Sequence, residues 1–428
     1  MEKKNLLIYA HYYAPDYAST GQIVTELAEG MLDKFNITVI CVVPSYTGKI
    51  EDKYKTQKYY KENINGVNVI RVRVPEFTKA SKKSRIKNII AYFFRAMHAT
   101  RKAGKQDYIF SISQPPILGG LLGIWGKWTK HAKFIYNVQD FNPEQIMSVG
   151  YSKNKFVLKV MMFLDKFTCK HSNLIITVGR DLVETVNNRF KNKKKVPKTI
   201  FINNWIDEKQ IYPLDENNEK VLEFKKKYNL DNKFIFMYSG NIGLYYDLEN
   251  IIKVLEKIKP DTKTQDGKVV VFAFIGEGTV LQDLKDYKEE KKLYNVVFIP
   301  YQDKKDLIYS LNAADVHFCV NAKGIKGVSC PSKYYGIASV AKPVLGVLEE
   351  NTEVRLLIEE TKGGLVSNPE DYETLEKNIN WFIQNANNKE LKDMGQRSRD
   401  YLVNNLTKDI SIEKYKEEIL KIWKDKYE

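Results

Sequence analysis

The chain is poor in cysteine and histidine, and both shortages narrow its chemistry. Four cysteines (Cys41, Cys169, Cys319 and Cys330) stand far apart in 428 residues. No paired spacing links them, which argues against a disulfide framework or a zinc site and for a reducing compartment. The five histidines, His11, His98, His131, His171 and His317, show no ligand spacing, so no metal is assigned. A secretory signal is also missing, because Glu2-Lys-Lys-Asn5 leads into only a short apolar run, Leu6 to Ala10. Long apolar runs are absent as well. The longest stretch, 109–128, is interrupted by Ser111, Ser113, Gln114, Pro115 and Pro116. It reads as a strand, a turn and a buried helix, not a membrane span.

Acidic residues fall short of basic ones, leaving a net charge of +15. Such a balance implies an anionic partner: nucleic acid, lipid headgroup or phosphorylated metabolite. Between Lys79 and Lys105 there are nine Lys/Arg and no Asp or Glu. Ile86, Ile89, Ile90, Tyr92, Phe93, Phe94 and Met97 are interleaved with them. The pattern fits a basic amphipathic helix on an anionic membrane surface. It fits equally a solvated helix whose apolar stripe packs on its own domain. A second basic run, 189–198, reads as a solvated loop before a strand. Neither run is accompanied by a zinc finger, RNP-type strand or basic zipper, so nucleic acid is not expected as a partner.

A length of 428 residues implies two domains of roughly 200 residues each. In the first half, apolar strands at 5–10, 37–43, 108–110, 133–138 and 174–178 alternate with helical patterns, and 67–74 reads as a half-exposed strand. The second half repeats the theme at 234–238, 269–275, 296–299, 315–320 and 343–347. Buried strands alternating with helices imply parallel sheets covered on both faces. The expected fold is therefore α/β, two consecutive Rossmann-like, doubly wound domains with a boundary near 200–210. An amphipathic helix follows at about 410–426. Ligands of such sheets sit at the carboxyl ends of the strands, which predicts a site in a cleft between facing domains.

Gly327-Val-Ser-Cys-Pro-Ser-Lys-Tyr-Tyr-Gly336 reads as a loop turning into a short helix. Ser329 is expected to cap it, with Pro331 and Lys333 in its first turn. The positive dipole end and the lysine together make an anion site suited to a diphosphate.

With these residues in view, the chain resembles the retaining glycosyltransferases of family 4, which have the GT-B fold. The resemblance spans nearly the whole length. It is carried by Tyr238-Ser-Gly-Asn-Ile-Gly-Leu-Tyr-Tyr-Asp-Leu-Glu249, Ile275-Gly-Glu-Gly278, Val297-Phe-Ile-Pro-Tyr-Gln302, Leu311-Asn-Ala-Ala-Asp315 and Gly363-Gly-Leu-Val366. Val138-Gln-Asp140, Pro143-Glu144 and Asn204-Trp-Ile-Asp207 match the branch that builds capsule and O-antigen polysaccharides. Two departures stand out. The family's pair of glutamates would fall at Val328 and Gly336, and its Arg and Lys are missing from the first donor loop.

The resemblance implies an acceptor-binding domain over 1–205, with the helix at 409–428 packing back onto it. It implies a donor-binding domain over 206–408. The implied reaction moves a sugar from a nucleotide donor, UDP-linked by family frequency and carrying an N-acetylated hexosamine, to a polyprenyl-diphosphate-linked saccharide. Configuration is retained. The place is the inner face of the cell membrane, with the protein cytoplasmic and peripheral through residues 79–105. The diphosphate role falls to Ser329, Ser332 and Lys333, and the glycine loops Gly240, Asn241, Gly243 and Gly276, Glu277, Gly278 admit phosphate and sugar. Lys333 stabilises the leaving group. Asp140 orients or deprotonates the acceptor, or else caps a turn. Tyr12, Tyr13, Thr20, Gly21 and Glu144 lie on the acceptor side, although Glu144 also reads as a first-turn carboxylate favoured by the helix dipole. No Asp-x-Asp occurs, so no metal or other cofactor is expected. Two other readings remain, a nucleotide-sugar 2-epimerase and a degenerate homologue serving as an assembly subunit.

Overall fold

The computed structural model describes residues 3–16, 19–78, 81–148, 150 and 154–424. Lys79 of the basic segment and residues 425–428 of the tail lie outside them. The chain divides into two compact units, Met1–Asn203 with Asp409–Glu428, and Asn204–Lys408. The elements of the first are β1 (Lys4–Tyr9), α1 (Ser19–Gly30), β2 (Phe35–Val42), β3 (Tyr59–Ile64), β4 (Val67–Val72), α2 (Lys82–Lys102), β5 (Tyr108–Ile112), α3 (Leu118–Lys130), β6 (Lys133–Val138), α4 (Glu144–Ser148), α5 (Lys155–His171), β7 (Leu174–Thr177), α6 (Arg180–Phe190) and β8 (Thr199–Phe201). The second holds α7 (Glu219–Lys227), β9 (Lys233–Ser239), α8 (Leu248–Leu255), β10 (Val269–Ile275), α9 (Leu281–Lys291), β11 (Val296–Ile299), α10 (Leu307–Asn312), β12 (Val316–Val320), α11 (Lys333–Ser339), β13 (Val344–Val347), α12 (Glu353–Thr361), β14 (Gly364–Ser367), α13 (Tyr372–Gln384) and α14 (Lys389–Asn405). The last helix, α15, runs Lys408–Lys424.

Among the described residues each unit is built on one sheet. The first has the order β3-β4-β2-β1-β5-β6-β7-β8 and the second β11-β10-β9-β12-β13-β14. All neighbours pair in parallel except β3 with β4. Central strands are apolar along their length because helices cover both faces: Leu6, Leu7, Ile8, Phe110, Phe236 and Phe272 are buried. In each sheet the order reverses around the first strand of its unit, at β1/β5 and at β9/β12. Adjacent crossovers there depart to opposite faces and leave a crevice at the carboxyl ends, where such sheets bind ligands.

Two expectations are corrected. Residues 67–74 are not a half-exposed strand, because β4 is covered and Arg71 is 1% exposed within it. The guanidinium is buried because Glu62 on β3 takes its Nε at 2.6 Å and the Ala14 carbonyl takes a terminal nitrogen at 2.5 Å. The antiparallel edge strand β3 was not foreseen, since its alternation, with Lys61 and Asn63 exposed, is too polar to read as a strand. Helix α2 packs one face on its own domain and leaves a second apolar line exposed. Asn88, Tyr92, Ala96 and Ala99 pack inward, while Ile86, Ile90 and Phe94 form a second line, 46–63% exposed. Among the described residues no helix is long and apolar enough to cross a membrane.

Candidate active site

In the second unit, β9 and β10 end in register, Ser239 beside Ile275, so their following loops meet. The Gly240 amide donates to the Ile275 carbonyl at 2.9 Å and the Ile242 amide to the Glu277 carbonyl at 2.8 Å. Gly240 (φ 145°) and Gly276 (φ 144°) adopt backbone open mainly to glycine. A Cβ on Gly276 would collide with the Gly240 carbonyl, and one on Gly278 with the Ile242 carbonyl. Gly243 has an ordinary φ of −129°. Asn241 and Glu277 are exposed on the loops, and the Asn241 carbonyl accepts the Tyr238 hydroxyl at 2.6 Å.

Lys333 reaches this loop pair from α11. Its side chain lies where a Cβ on Gly240 would be, and its Nζ sits 3.7 Å from the centre of the Tyr246 ring and 5.0 Å from Tyr238. Two aromatic faces hold an ammonium without neutralising it, and among the described residues no carboxylate pairs with it. The predicted capping by Ser329 does not occur. The helix begins at Lys333, and Ser332, the residue before it, makes no side-chain cap. Ser329 belongs instead to a preceding turn, its amide 3.3 Å from the Ile325 carbonyl. Lys333 therefore meets the Gly240 loop and Ser332 shares a pocket lining with Ser239, while Ser329 stands one turn back.

A pocket of about 140 Å³ lies beside Lys333 at the β9/β12 switch, lined by Ser239, His317, Phe318, Ser332 and Gly336 among others. His317 holds the Leu311 carbonyl at 2.9 Å, and burial pushes its pKa down to about 4, so it is a neutral packing residue. Val328 is buried and Gly336 lines the pocket, so neither position of the family's glutamate pair supplies a carboxylate.

In the first unit a pocket of about 180 Å³ occupies the β1/β5 switch, lined by His11, Tyr12, Arg85, Gln114, Asp140 and Asn142 among others. The Gln139 and Asp140 amides donate to Ser113 Oγ at 3.1 and 3.3 Å, which fixes the loop after β6. Thr20 does not line the pocket but donates to Gln114 at 2.7 Å. Gly21 lets α1 approach the Asp16 carbonyl. Tyr13 is corrected: at 1% exposure it belongs to the core and has no face to offer a sugar. Glu144 is corrected as well. It accepts two hydrogen bonds from Arg189, at 3.0 and 2.5 Å, and Arg189 also binds Asp165 at 2.6 Å. That network is nearly buried, so Glu144 has a structural partner in place of an acceptor.

His11 was missed by sequence reasoning. It is 7% exposed, lines the pocket, and its Nε2 is buried without a hydrogen-bond partner among the described residues. Burial pushes its pKa down to about 4, against a raising hydrogen bond from Asn88. A polar residue directly after a buried strand at the sheet switch was the signal that could have found it.

These two Rossmann-like units give the chain the GT-B fold. Residues 220–401, within the second unit, match the family model of glycosyl transferases group 1. The chain is 23% identical over 345 residues to the probable glycosyltransferase WbjE of Pseudomonas aeruginosa, covering 79% of this chain and 82% of that one. It is also 23% identical over 381 residues to the "putative colanic acid biosynthesis glycosyl transferase WcaI" of Escherichia coli (strain K12), covering 86% of this chain and 90% of that one. Among solved structures, HepE of Anabaena in complex with UDP and glucose superposes with a TM-score of 0.68 at 12% identity, over 97% of this chain and 98% of that one.

Proposed function

We propose that the protein is a retaining glycosyltransferase that moves a sugar from a nucleoside-diphosphate donor, UDP-linked, to a lipid-linked saccharide in bacterial surface polysaccharide assembly. The observation that carries this reading is Lys333, an ammonium with no acidic partner among the described residues, held by two tyrosine rings against the Gly240 loop. Breaking the glycosyl–phosphate bond leaves negative charge on the departing diphosphate, and a fixed cation lowers the barrier only if it meets that charge. The close-packed glycine loops let backbone amides approach the same group. In this reading the protein cation takes the place of a metal, and chelation leaves turnover unchanged. The neighbouring apolar pocket beside Phe318 receives the nucleoside.

The pocket beside His11 receives the acceptor, with Asp140 orienting its hydroxyl and Arg85 drawing its phosphate. The exposed Ile86, Ile90 and Phe94 on basic α2 support contact with an anionic inner membrane face. WcaI is named for polysaccharide assembly and HepE is solved with UDP, which agrees with both ends of the reaction. A thermal-shift screen of UDP, GDP, ADP and CMP tests the donor. A native-state ligand raises the melting temperature by mass action, so UDP is expected to raise it and the others not. A rise with none of them counts against the reading.

A further inference from the structure

A cavity of about 550 Å³ in the first unit has no place in the transfer reaction. Ser172 and Asn173 line it and lead into β7, and Pro197 and Lys198 line it and lead into β8. The cavity is therefore at the amino ends of these strands. His11, Gln114 and Asp140 follow β1, β5 and β6 at their carboxyl ends. Because β1, β5, β6, β7 and β8 run parallel, the two hollows lie at opposite ends of one sheet.

Five lysines line the cavity, Lys170, Lys193, Lys194, Lys195 and Lys198, and none of the described residues lining it is acidic. Close ammonium groups repel one another, and a concave wall concentrates their field. The field reaches beyond the lining. Lys127 donates to the His171 carbonyl at 2.6 Å, and burial first, then Lys133 and Lys195, holds it below the usual lysine range. Asn173 uses its side-chain oxygen on the Phe134 amide at 3.0 Å, which leaves its NH2 group as a further donor. Ammonium groups act as point charges suited to phosphate.

We propose that this cavity binds a multiply charged phosphate group, as a second anion site separate from sugar transfer. The group has two sources, a lipid headgroup or a soluble diphosphate. The lipid source has a neighbour on the surface: exposed Trp128 and Phe163 both pack on Phe167, one turn of α5 before Lys170. Rings of that kind settle at a membrane interface.

The test uses the full chain carrying Lys333→Ala, which silences the donor site. Inorganic pyrophosphate is titrated calorimetrically into this chain and into one that also carries Lys193→Gln, Lys194→Gln and Lys195→Gln. These three side chains are exposed, so the fold is retained. Pyrophosphate binding is expected to weaken by at least about tenfold. The same loss of charge on α2, through Lys82→Gln, Lys83→Gln and Lys87→Gln, is expected to leave it unchanged. Co-sedimentation with phosphatidylglycerol vesicles separates the sources. Loss of vesicle binding in the cavity variant, with competition by pyrophosphate at fixed ionic strength, assigns the lipid. Unchanged vesicle binding beside weakened pyrophosphate binding assigns the soluble ligand. If the cavity variant binds both probes as its parent does, or if the α2 variant loses pyrophosphate equally, the proposal is overturned.

Discussion

Lys333 is half-buried, seated over Tyr246 and pressed against Gly240. Both contacts use the aliphatic stem and the compact ammonium, so neither the length nor the shape of the side chain is free. Lys333→Ala is expected to lower kcat by about 10²–10³-fold, the range for losing one preorganised charge-stabilising donor. Lys333→Arg is not expected to restore it, because a planar guanidinium does not fit the space a lysine leaves beside Gly240. Steady-state kinetics with a soluble acceptor analogue decides this, and near-normal turnover in the alanine variant removes the assignment. A second residue-scale expectation concerns pH. His11 and His317 are both pushed down to about 4 by burial. Their unfolded pKa is ordinary, near 6.5, so the unfolded chain takes up protons first as pH falls. Stability is complete above about pH 6.5 and declines towards pH 4, by up to about 3 kcal/mol for each histidine. Denaturant titrations at several pH values check the slope, and replacing His317 with Asn should flatten part of it.

At the scale of elements, sequence pattern and structure agree where burial alone decides. The parallel strands were legible because helices cover both faces and leave unbroken apolar runs, as in Val269–Ile275. Strand β3 was not legible, since only its pairing with β4 and the Arg71–Glu62 contact makes it a strand. The start of α11 was misplaced for a related reason. Ser329 and Pro331 are good local signals, but the turn from Ile325 to Ser329 uses the serine amide before a helix can begin. Helix α2 has a core face through Tyr92 and Ala96 and an outer apolar line through Ile86, Ile90 and Phe94. Changing these three outer residues to Ser should weaken binding to anionic vesicles by at least about tenfold, since each removes apolar surface from the interface. Thermal stability should stay within about 0.5 kcal/mol per site, as for other exposed positions. A large loss of stability with unchanged vesicle binding would assign the outer line to packing.

At the scale of the molecule, the alternation of strands and helices revealed two doubly wound halves, and the switch points of the two sheets then located both pockets. What stayed hidden is long-range by nature: the Glu144–Arg189–Asp165 network joins residues up to 45 positions apart. Asp140, which lines the same pocket as His11, comes from a different crossover. The longest such link is α15, which returns to the first unit from the end of the second. Ile412 packs on Gly30, the Tyr415 hydroxyl accepts from Asn137 Nδ2 at 2.9 Å, and Lys416 pairs with Asp33 at 2.8 Å. Ile412, Tyr415, Ile419 and Ile422 are buried at 4% exposure or less. At about 1.5–3 kcal/mol for each large apolar side chain, these four contribute on the order of 6–12 kcal/mol. That matches the whole stability of an ordinary domain, about 5–15 kcal/mol. Ending the chain at Lys408 should therefore unfold the first unit at ordinary temperature and leave the second unit folded, since none of the four belongs to the latter. Calorimetry should show one transition in the shortened chain, still raised by UDP, and hydrogen exchange should show loss of protection in β1, β5 and β6. If those strands stay protected without α15, its contacts are redundant and the first unit is held by its own sheet and helices.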